Sequence, residues 1–263
     1  MTLNKKQIQL GIGNLSEELS ITVYKKTDST NTQAKLAAES DISGDAIFIA
    51  AEQTQGRGRM GRSFSSSKGK GLYLSILLAR DLPSDFATSL TTYMAVIAAR
   101  SISALTALDT KIKWVNDIYV GGKKLAGILT EGKAKCEGTL AYAVIGIGIN
   151  ILKQEFPEDV KAIATTIEDE CGIEVNVNEL AALIIKEFFD NLYLVGTPEL
   201  AEEYRSRSFL VGEHVNVIKP TENYEALVKG ITDKCELLLS LPDGTEEILS
   251  TGEVSVRLYN TSN

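Results

Sequence analysis

The chain has 263 residues, of which 44% are hydrophobic and 24% charged, with a formal net charge of −8. That length allows one large domain and a small satellite, and the composition excludes a disordered or fibrous chain. The acidic balance excludes a surface built throughout for nucleic acid, so only a local basic patch remains available for such contacts.

After a short polar lead-in, residues 21–26 read as a strand, and Asp28, Ser29, Thr30 and Asn31 supply capping side chains for a helix to about Ser40. Residues 45–52 (DAIFIAAE) are strand-like. The Gly, Arg and Ser stretch from Gln53 to Lys70 lacks apolar periodicity and is expected to be a long mobile loop. A buried strand follows over 71–79, and Leu90, Met94, Ile97 and Leu105 mark one stripe of a long helix. Residues 111–114, 117–120 and 124–132 read as strands, the last two joined through Gly121-Gly122 as a hairpin. Another apolar strand spans 139–150. Val160, Ile163, Ala164 and Ile167 follow helical spacing up to Gly172, residues 181–192 repeat it, and a third helix is expected over 198–208. Beyond Leu210 only short strands remain. Cys235, Leu237, Leu239 and Leu241 alternate, Pro242-Asp243-Gly244 turns, and Val254, Val256 and Leu258 alternate again. This predicts a small β-barrel.

Cys136, Cys171 and Cys235 are spread too widely for a zinc or redox motif, and no uncharged apolar run reaches the roughly 18 residues of a membrane span. With no signal-peptide core at the N-terminus, the expectation is a cytoplasmic protein without a membrane segment.

Three segments carry chemistry. Residues 56–63 (GRGRMGRS) satisfy the G-x-G-x-x-G pattern, but both that fingerprint and the phosphate-binding loop need a helix at the last glycine, and here a Ser and Gly stretch leads into a strand. Both readings are therefore rejected. Arg57, Arg59 and Arg62 on a glycine-hinged loop suit paired hydrogen bonds to phosphate or carboxylate, while a solvated surface loop would need the same charges. In residues 145–150 (IGIGIN) the strand period sends Ile145, Ile147 and Ile149 to one face and Gly146, Gly148 and Asn150 to the other. A nearly bare face accommodates a close helix or a flat ligand. Lys113-Trp114-Val115-Asn116-Asp117 places an aromatic, an amide and a carboxylate where a strand ends. On the next strand Lys124 is expected to share a face with Ala126, opposite Leu125, Gly127 and Leu129. A lysine in a water-poor cleft would fix positive charge for a developing oxyanion. The single histidine, His214, lies in the β-only tail, which leaves positional and electrostatic catalysis rather than a histidine triad.

Taken in chain order, Ser29-Thr30-Asn31, Gln53, the 56–62 glycine and arginine run, KWVND at 113–117, KLAGIL at 124–129 and GIGIN at 146–150 resemble the biotin protein ligases. The resemblance implies an α+β fold: a mixed β-sheet with helices over residues 1–209, carrying biotin and ATP, and a C-terminal SH3-like β-barrel over 210–263. It implies that biotin is activated with MgATP to biotinyl-5′-AMP and passed to a lysine of a biotin carboxyl carrier protein.

By the same resemblance, Ser29, Thr30, Asn31, Gln53, Arg57, Gly58, Arg59, Lys124, Gly146 and Gly148 would bind biotin. Arg57, Arg59, Arg62, Phe64, Lys113, Trp114, Asn116 and Asn150 would serve ATP and the adenylate. Lys124, Arg59 and Asp117 would be catalytic, with Mg²⁺ arriving with the nucleotide rather than on a protein metal site. Phe64 stands where the family often has Trp, and Val115 where it often has Pro. The roughly 20 residues before the first core strand are too few for the family's DNA-binding domain, so no nucleic-acid partner is expected. The oligomeric state stays open, a homodimer included. A lipoate or octanoate ligase and an RNA-binding module are the alternative readings.

Overall fold

The computed structural model describes residues 2–40, 42–219 and 222–256. It opens with two helices, α1 (Lys5–Ile12) and α2 (Leu15–Glu18), then strand β1 (Ser20–Tyr24), helix α3 (Thr30–Glu39), β2 (Ala46–Ala50), β3 (Gly71–Leu78) and the short β4 (Leu82–Pro83). The 21-residue α4 (Phe86–Thr106) leads to β5 (Lys111–Lys113), β6 (Asp117–Val120), β7 (Lys123–Cys136) and β8 (Thr139–Asn150). Helices α5 (Ile167–Cys171), α6 (Val177–Asp190) and α7 (Pro198–Arg207) precede the terminal strands: β9 (His214–Ile218), β10 (Asn223–Ile231), β11 (Leu237–Ser240), β12 (Glu246–Leu249) and β13 (Glu253–Val256). The expected continuation of β13 to Leu258 lies outside the described residues.

The large sheet runs β1-β2-β3-β8-β7-β6-β5, with β4 at the far end of β8. Only β1 and β2 are parallel. Its two faces differ because β3 and β8 alternate in opposite demands. Leu72, Leu74, Ile76, Ile145, Ile147 and Ile149 enter the main core with Tyr93, Met94 and Ile97 of α4 and Ile184, Ile185 and Phe188 of α6. The opposite face carries Tyr73, Ser75, Gly146 and Gly148, and its far end, around Phe48, Leu77 and Val144, is packed against Ala34 of α3. Burying a Leu or Ile side chain contributes about 1.5–3 kcal/mol, so the register of β8 is fixed by its isoleucine face. The glycine face follows from that choice.

The second sheet is antiparallel, in the order β12-β11-β10-β9-β13. Its buried residues, among them Val215, Val217, Val228, Leu237 and Leu239, belong to the same hydrophobic core as the large sheet, together with Trp114 and Leu210. Trp114, 3% exposed, donates from Nε1 to Cys235 O at 2.8 Å and so fastens the two sheets together. Among the described residues no helix is long and apolar enough to cross a membrane.

Three expectations are corrected. The lead-in is helical: Asn4 accepts from the backbone N–H groups of Lys6 and Gln7 and starts α1, whose Ile8 and Ile12 are buried. Residues 160–164 form turns, not a helix. Their backbone instead pairs with β7, Lys124 N donating to Ile163 O at 2.7 Å and Thr165 N to Lys124 O at 2.9 Å, and Ile163 is left exposed. Ser29 makes no side-chain cap for α3; the first helical N–H, that of Thr30, is instead satisfied by Gln53 Oε1 at 2.8 Å. The 121–122 hairpin is as expected, both glycines holding positive φ.

Because Cys235 O is buried opposite the indole, Trp114→Phe leaves an unsatisfied acceptor and is expected to cost about 1–3 kcal/mol. A urea unfolding curve checks this, and an unchanged midpoint would mean that the bond does not hold the sheets together.

Candidate active site

The glycine face of the large sheet, touched by Asn31 at Gly146 and by Phe64 at Gly148, is the floor of a cleft with about 200 Å³ of internal space. Its walls come from four places: the start of α3, the 56–64 loop, the 113–117 segment with Lys124, and the turn at 160–164. Glu253 and Val254 of the second sheet close one side. Five of the lining side chains are cationic (Arg57, Arg59, Arg62, Lys113, Lys124) and two are carboxylates (Asp117, Glu253). In a chain of net charge −8 this excess of cations marks the cleft as a place for anions.

The floor is bare for a steric reason. A Cβ at Gly146 would stand 2.0 Å from Asn31 Oδ1, and one at Gly148 would stand 2.5 Å from the Phe64 ring. Between a close helix and a flat ligand, the two readings left open by the sequence, neither describes the floor itself: Asn31 from the start of α3 touches one glycine and Phe64 from the loop the other. Phe64 also packs edge-on against Tyr73, centroids 6.5 Å apart.

Lys124 reaches this floor through an irregularity. Strand β7 pairs Lys124 with Tyr119 and Ala126 with Ile118, so Leu125 is an extra, bulged residue. The bulge resets the alternation, and Lys124 lies over Gly127, its Cε and Nζ 3.3 and 3.4 Å from where a Cβ would be. The expected pairing of Lys124 with Ala126 is thereby corrected. Nζ stands 2.7 Å from Asp117 Oδ1. This is a charge contact rather than an aligned hydrogen bond, since Asp117 Oδ1 is buried without an aligned donor.

The segment ahead of Asp117 is gripped from several sides. Tyr204 Oη donates to Val115 O at 3.1 Å, Asn116 Nδ2 donates to Ile128 O at 2.8 Å, and the Trp114–Val115 peptide is cis. Asn116 Oδ1 in turn accepts from Arg59 at 3.2 Å.

The 56–64 loop is a folded hairpin rather than a free segment. Phe64 N bonds Gly56 O at 3.0 Å and Gly58 N bonds Arg62 O at 2.7 Å, leaving a single turn at Arg59–Gly61 with Met60 at a left-handed φ of 53°. No helix begins at Gly61, in keeping with the rejection of the nucleotide fingerprints. Arg59 points inward and also donates to Gly252 O at 2.8 Å; burial pulls its guanidinium pKa down, and Asp117 and Glu253 oppose the shift. Arg62 pairs with Glu253 at 2.6 Å and Arg57 with Glu131 at 3.3 Å, so the three arginines tie the loop to four different partners. Burial likewise lowers the pKa of Lys113, again opposed by Asp117.

Of the residues singled out in the sequence, Ser29, Thr30, Asn31, Gln53, Arg57, Gly58, Arg59, Arg62, Phe64, Lys113, Trp114, Asn116, Asp117, Lys124, Gly146 and Gly148 all line this cleft. Asn150 does not. Although it follows the glycines in period, its amide donates to Thr165 O at 3.1 Å and holds the chain beyond β8. Trp114 and Gln53 have their polar atoms committed, the indole to Cys235 and the amide to Thr30 and Ser66. Sequence reasoning missed Glu253 and Gly252, at and just before the start of a strand far away in sequence, and Glu131. No local signal marks the first two, whereas Glu131 shares the face of Gly127 and Leu129 at period two. Among the described residues no group of three or more His, Cys, Asp or Glu side chains is arranged to hold a metal ion.

Residues 23–150 match the Biotin/lipoate A/B protein ligase family and residues 210–257 match the Biotin protein ligase C terminal domain. The chain is 35% identical over 259 residues to the bifunctional ligase/repressor BirA of Escherichia coli (strain K12), covering 97% of this chain and 78% of that one. It is 30% identical over 252 residues to the biotin–(acetyl-CoA-carboxylase) ligase of Mycobacterium tuberculosis, covering 92% and 91%. The biotin protein ligase from Aquifex aeolicus, solved in complex with biotin and ATP, superposes with a TM-score of 0.76 at 28% identity over 90% of this chain and 98% of that one. The chain belongs to the biotin protein ligase family.

Gly148→Ala adds a methyl group to the floor at the point where the Phe64 ring lies and where the acyl group is to be received, and is expected to lower kcat/KM for the carboxylic substrate by on the order of 10²-fold by misplacing it. Steady-state kinetics with wild-type thermal stability as the control check it; unchanged kcat/KM would show that the floor need not be bare.

Proposed function

We infer that this chain is an ATP-dependent biotin–protein ligase. Biotin and ATP give biotinyl-5′-AMP and pyrophosphate, and the adenylate then acylates a lysine amine. The observation that carries this reading is the cation-lined cleft with its glycine floor, placed in a chain that resembles biotin protein ligases along almost its whole length, second sheet included. The C-terminal match favours biotin over lipoate. The relatives' names point to acetyl-CoA carboxylase as the acceptor protein, and within it the reading assigns the lysine to a biotin carboxyl carrier domain.

In the first step a biotin carboxylate oxygen bonds to the α-phosphorus of ATP and the bond to the β-phosphate bridging oxygen breaks. Charge accumulates on the phosphoryl oxygens and on the leaving pyrophosphate. Lys124 and Arg59, fixed before substrate arrives by Asp117 and by Asn116 and Gly252 O, stabilise that charge without reorganisation. Arg57, Arg62 and Lys113 add attraction for phosphates at the cleft mouth. Ser29, Thr30 and Asn31 offer hydroxyl and amide groups for the cyclic urea, Gln53 holds Thr30 in place, and Gly58, Gly146 and Gly148 admit the ligand close to backbone. Phe64 and Trp114 form the aromatic side of the nucleotide site.

In the second step the lysine amine attacks the acyl carbonyl, AMP leaves, and Asp117 takes the amine proton. Mg²⁺ is held mainly by substrate phosphates and one or two carboxylates. Asp117 is the carboxylate available for it, its Oδ1 without an aligned donor although 2.7 Å from Lys124 Nζ. Asp117 would hold the ion, with Asn116 beside it, and the ion would neutralise pyrophosphate as it departs.

Exchange of radiolabelled pyrophosphate into ATP tests the reading: it is expected with biotin, and exchange with lipoate alone would contradict it. Lys124→Ala is expected to slow biotin-dependent exchange by on the order of 10²-fold or more. Near wild-type exchange in that variant would remove Lys124 from catalysis.

A further inference from the structure

Glu131 stands on the cleft face of β7 at a junction the reaction scheme above does not use. Its Oε1 accepts from Lys35 Nζ at 2.8 Å and from Arg57 at 3.3 Å, while Oε2 accepts from Asn31 Nδ2 at 2.9 Å. One carboxylate thus joins the first arginine of the loop to the start of α3. Burial raises the pKa of this carboxyl, but the hydrogen bonds from Lys35 and Asn31 and the nearby cations outweigh it, so the group lies below the usual range and stays ionised.

The consequence falls on Asn31, which is 4% exposed and lies against Gly146. A side-chain amide can be rotated by half a turn with no change of shape, exchanging a donor for an acceptor. Here the Glu131 carboxylate and Leu129 O, 3.2 Å away, are both acceptors and take the NH₂ end. The carbonyl end is driven to the glycine floor, where it accepts from Ser75 Oγ at 2.6 Å. A carbonyl oxygen has two lone pairs, so one remains for the ligand. Turning the amide over would place its oxygen against a full negative charge and a carbonyl dipole in a water-poor site, a far costlier arrangement than in solvent.

We propose that Glu131 is a positioning residue that fixes the Asn31 carbonyl toward the glycine floor, so that the cleft selects a substrate bearing an N–H donor at that point. The inference rests on the ligase reading, in which the donor is a ureido N–H of biotin. Selection follows because a site built to pair with a donor rejects an analogue lacking it far more strongly than an apolar pocket rejects a missing methylene.

The test compares kcat/KM for biotin and for biotin methylated on a ureido nitrogen, by pyrophosphate exchange, in the wild-type chain, Glu131→Gln and Glu131→Ala. Glu131→Gln keeps the side chain's size and so reads out even where Glu131→Ala fails to fold. The wild type is expected to prefer biotin. The preference should fall by about tenfold or more in Glu131→Ala and by less in Glu131→Gln, which retains one acceptor oxygen, with KM for biotin rising and KM for ATP staying within about threefold. Wild-type preference in both variants overturns the proposal. Equal losses toward biotin and ATP also overturn it, since that is the pattern of a merely structural residue. A wild-type chain without biotin-dependent exchange would instead count against the ligase reading.

Discussion

The constraint that governs this molecule is the double demand on β8. Its isoleucines must enter the core shared with α4 and α6, and the residues between them must leave room on the other side. Period-two geometry satisfies both at once, because a strand that slipped by one residue would expose Ile145, Ile147 and Ile149 and plug the cleft. Fold stability and the shape of the site therefore rest on a single register. The same sheet face carries Ser75, Gly127 and Leu129, so the cleft is largely a property of three adjacent strands, with Asn31 and Lys124 added at its two ends.

Around that floor the charges are held rather than loose. Each of the cations at the centre has a partner that keeps it in place: Lys124 has Asp117, Arg59 has Asn116 and Gly252 O, Arg57 has Glu131 and Arg62 has Glu253. Fixing a charge in advance lets it act on a developing anion without the reorganisation that water would need. Glu253, the partner of Arg62, lies on the second sheet, and Gly252, one of the two partners of Arg59, lies just before that strand, which gives the small unit a place in the site. Trp114, buried between the sheets, keeps the two registered.

Much of this was legible in the sequence, for identifiable reasons. The glycines of β8 and the isoleucines beside them announce two different faces, and the motif order placed sixteen of the expected residues around one cleft. Asn150 was misplaced because period two predicts a face but not what the chain does after the strand ends. Residues 160–164 mimic helical spacing, yet their backbone groups bind Lys124 N and O, and a β7 partner outcompetes a helix that the sequence could only suggest. The bulge at Leu125 is invisible to an alternation rule, and it is what puts Lys124 over Gly127. Contacts from Gly252 and Glu253 depend on tertiary folding across almost the full chain length, where local patterns carry no information.

The central claim is that the acid and the nucleotide meet on this glycine floor beneath the loop. A crystal structure of the chain with a non-hydrolysable biotinyl-adenylate analogue tests it most directly. The account predicts the acyl group over Gly146 and Gly148, with Arg59 and Lys124 within hydrogen-bonding distance of the phosphate. Ligand bound elsewhere, with Phe64 still seated on Gly148 and Lys124 contacting only Asp117, would contradict it.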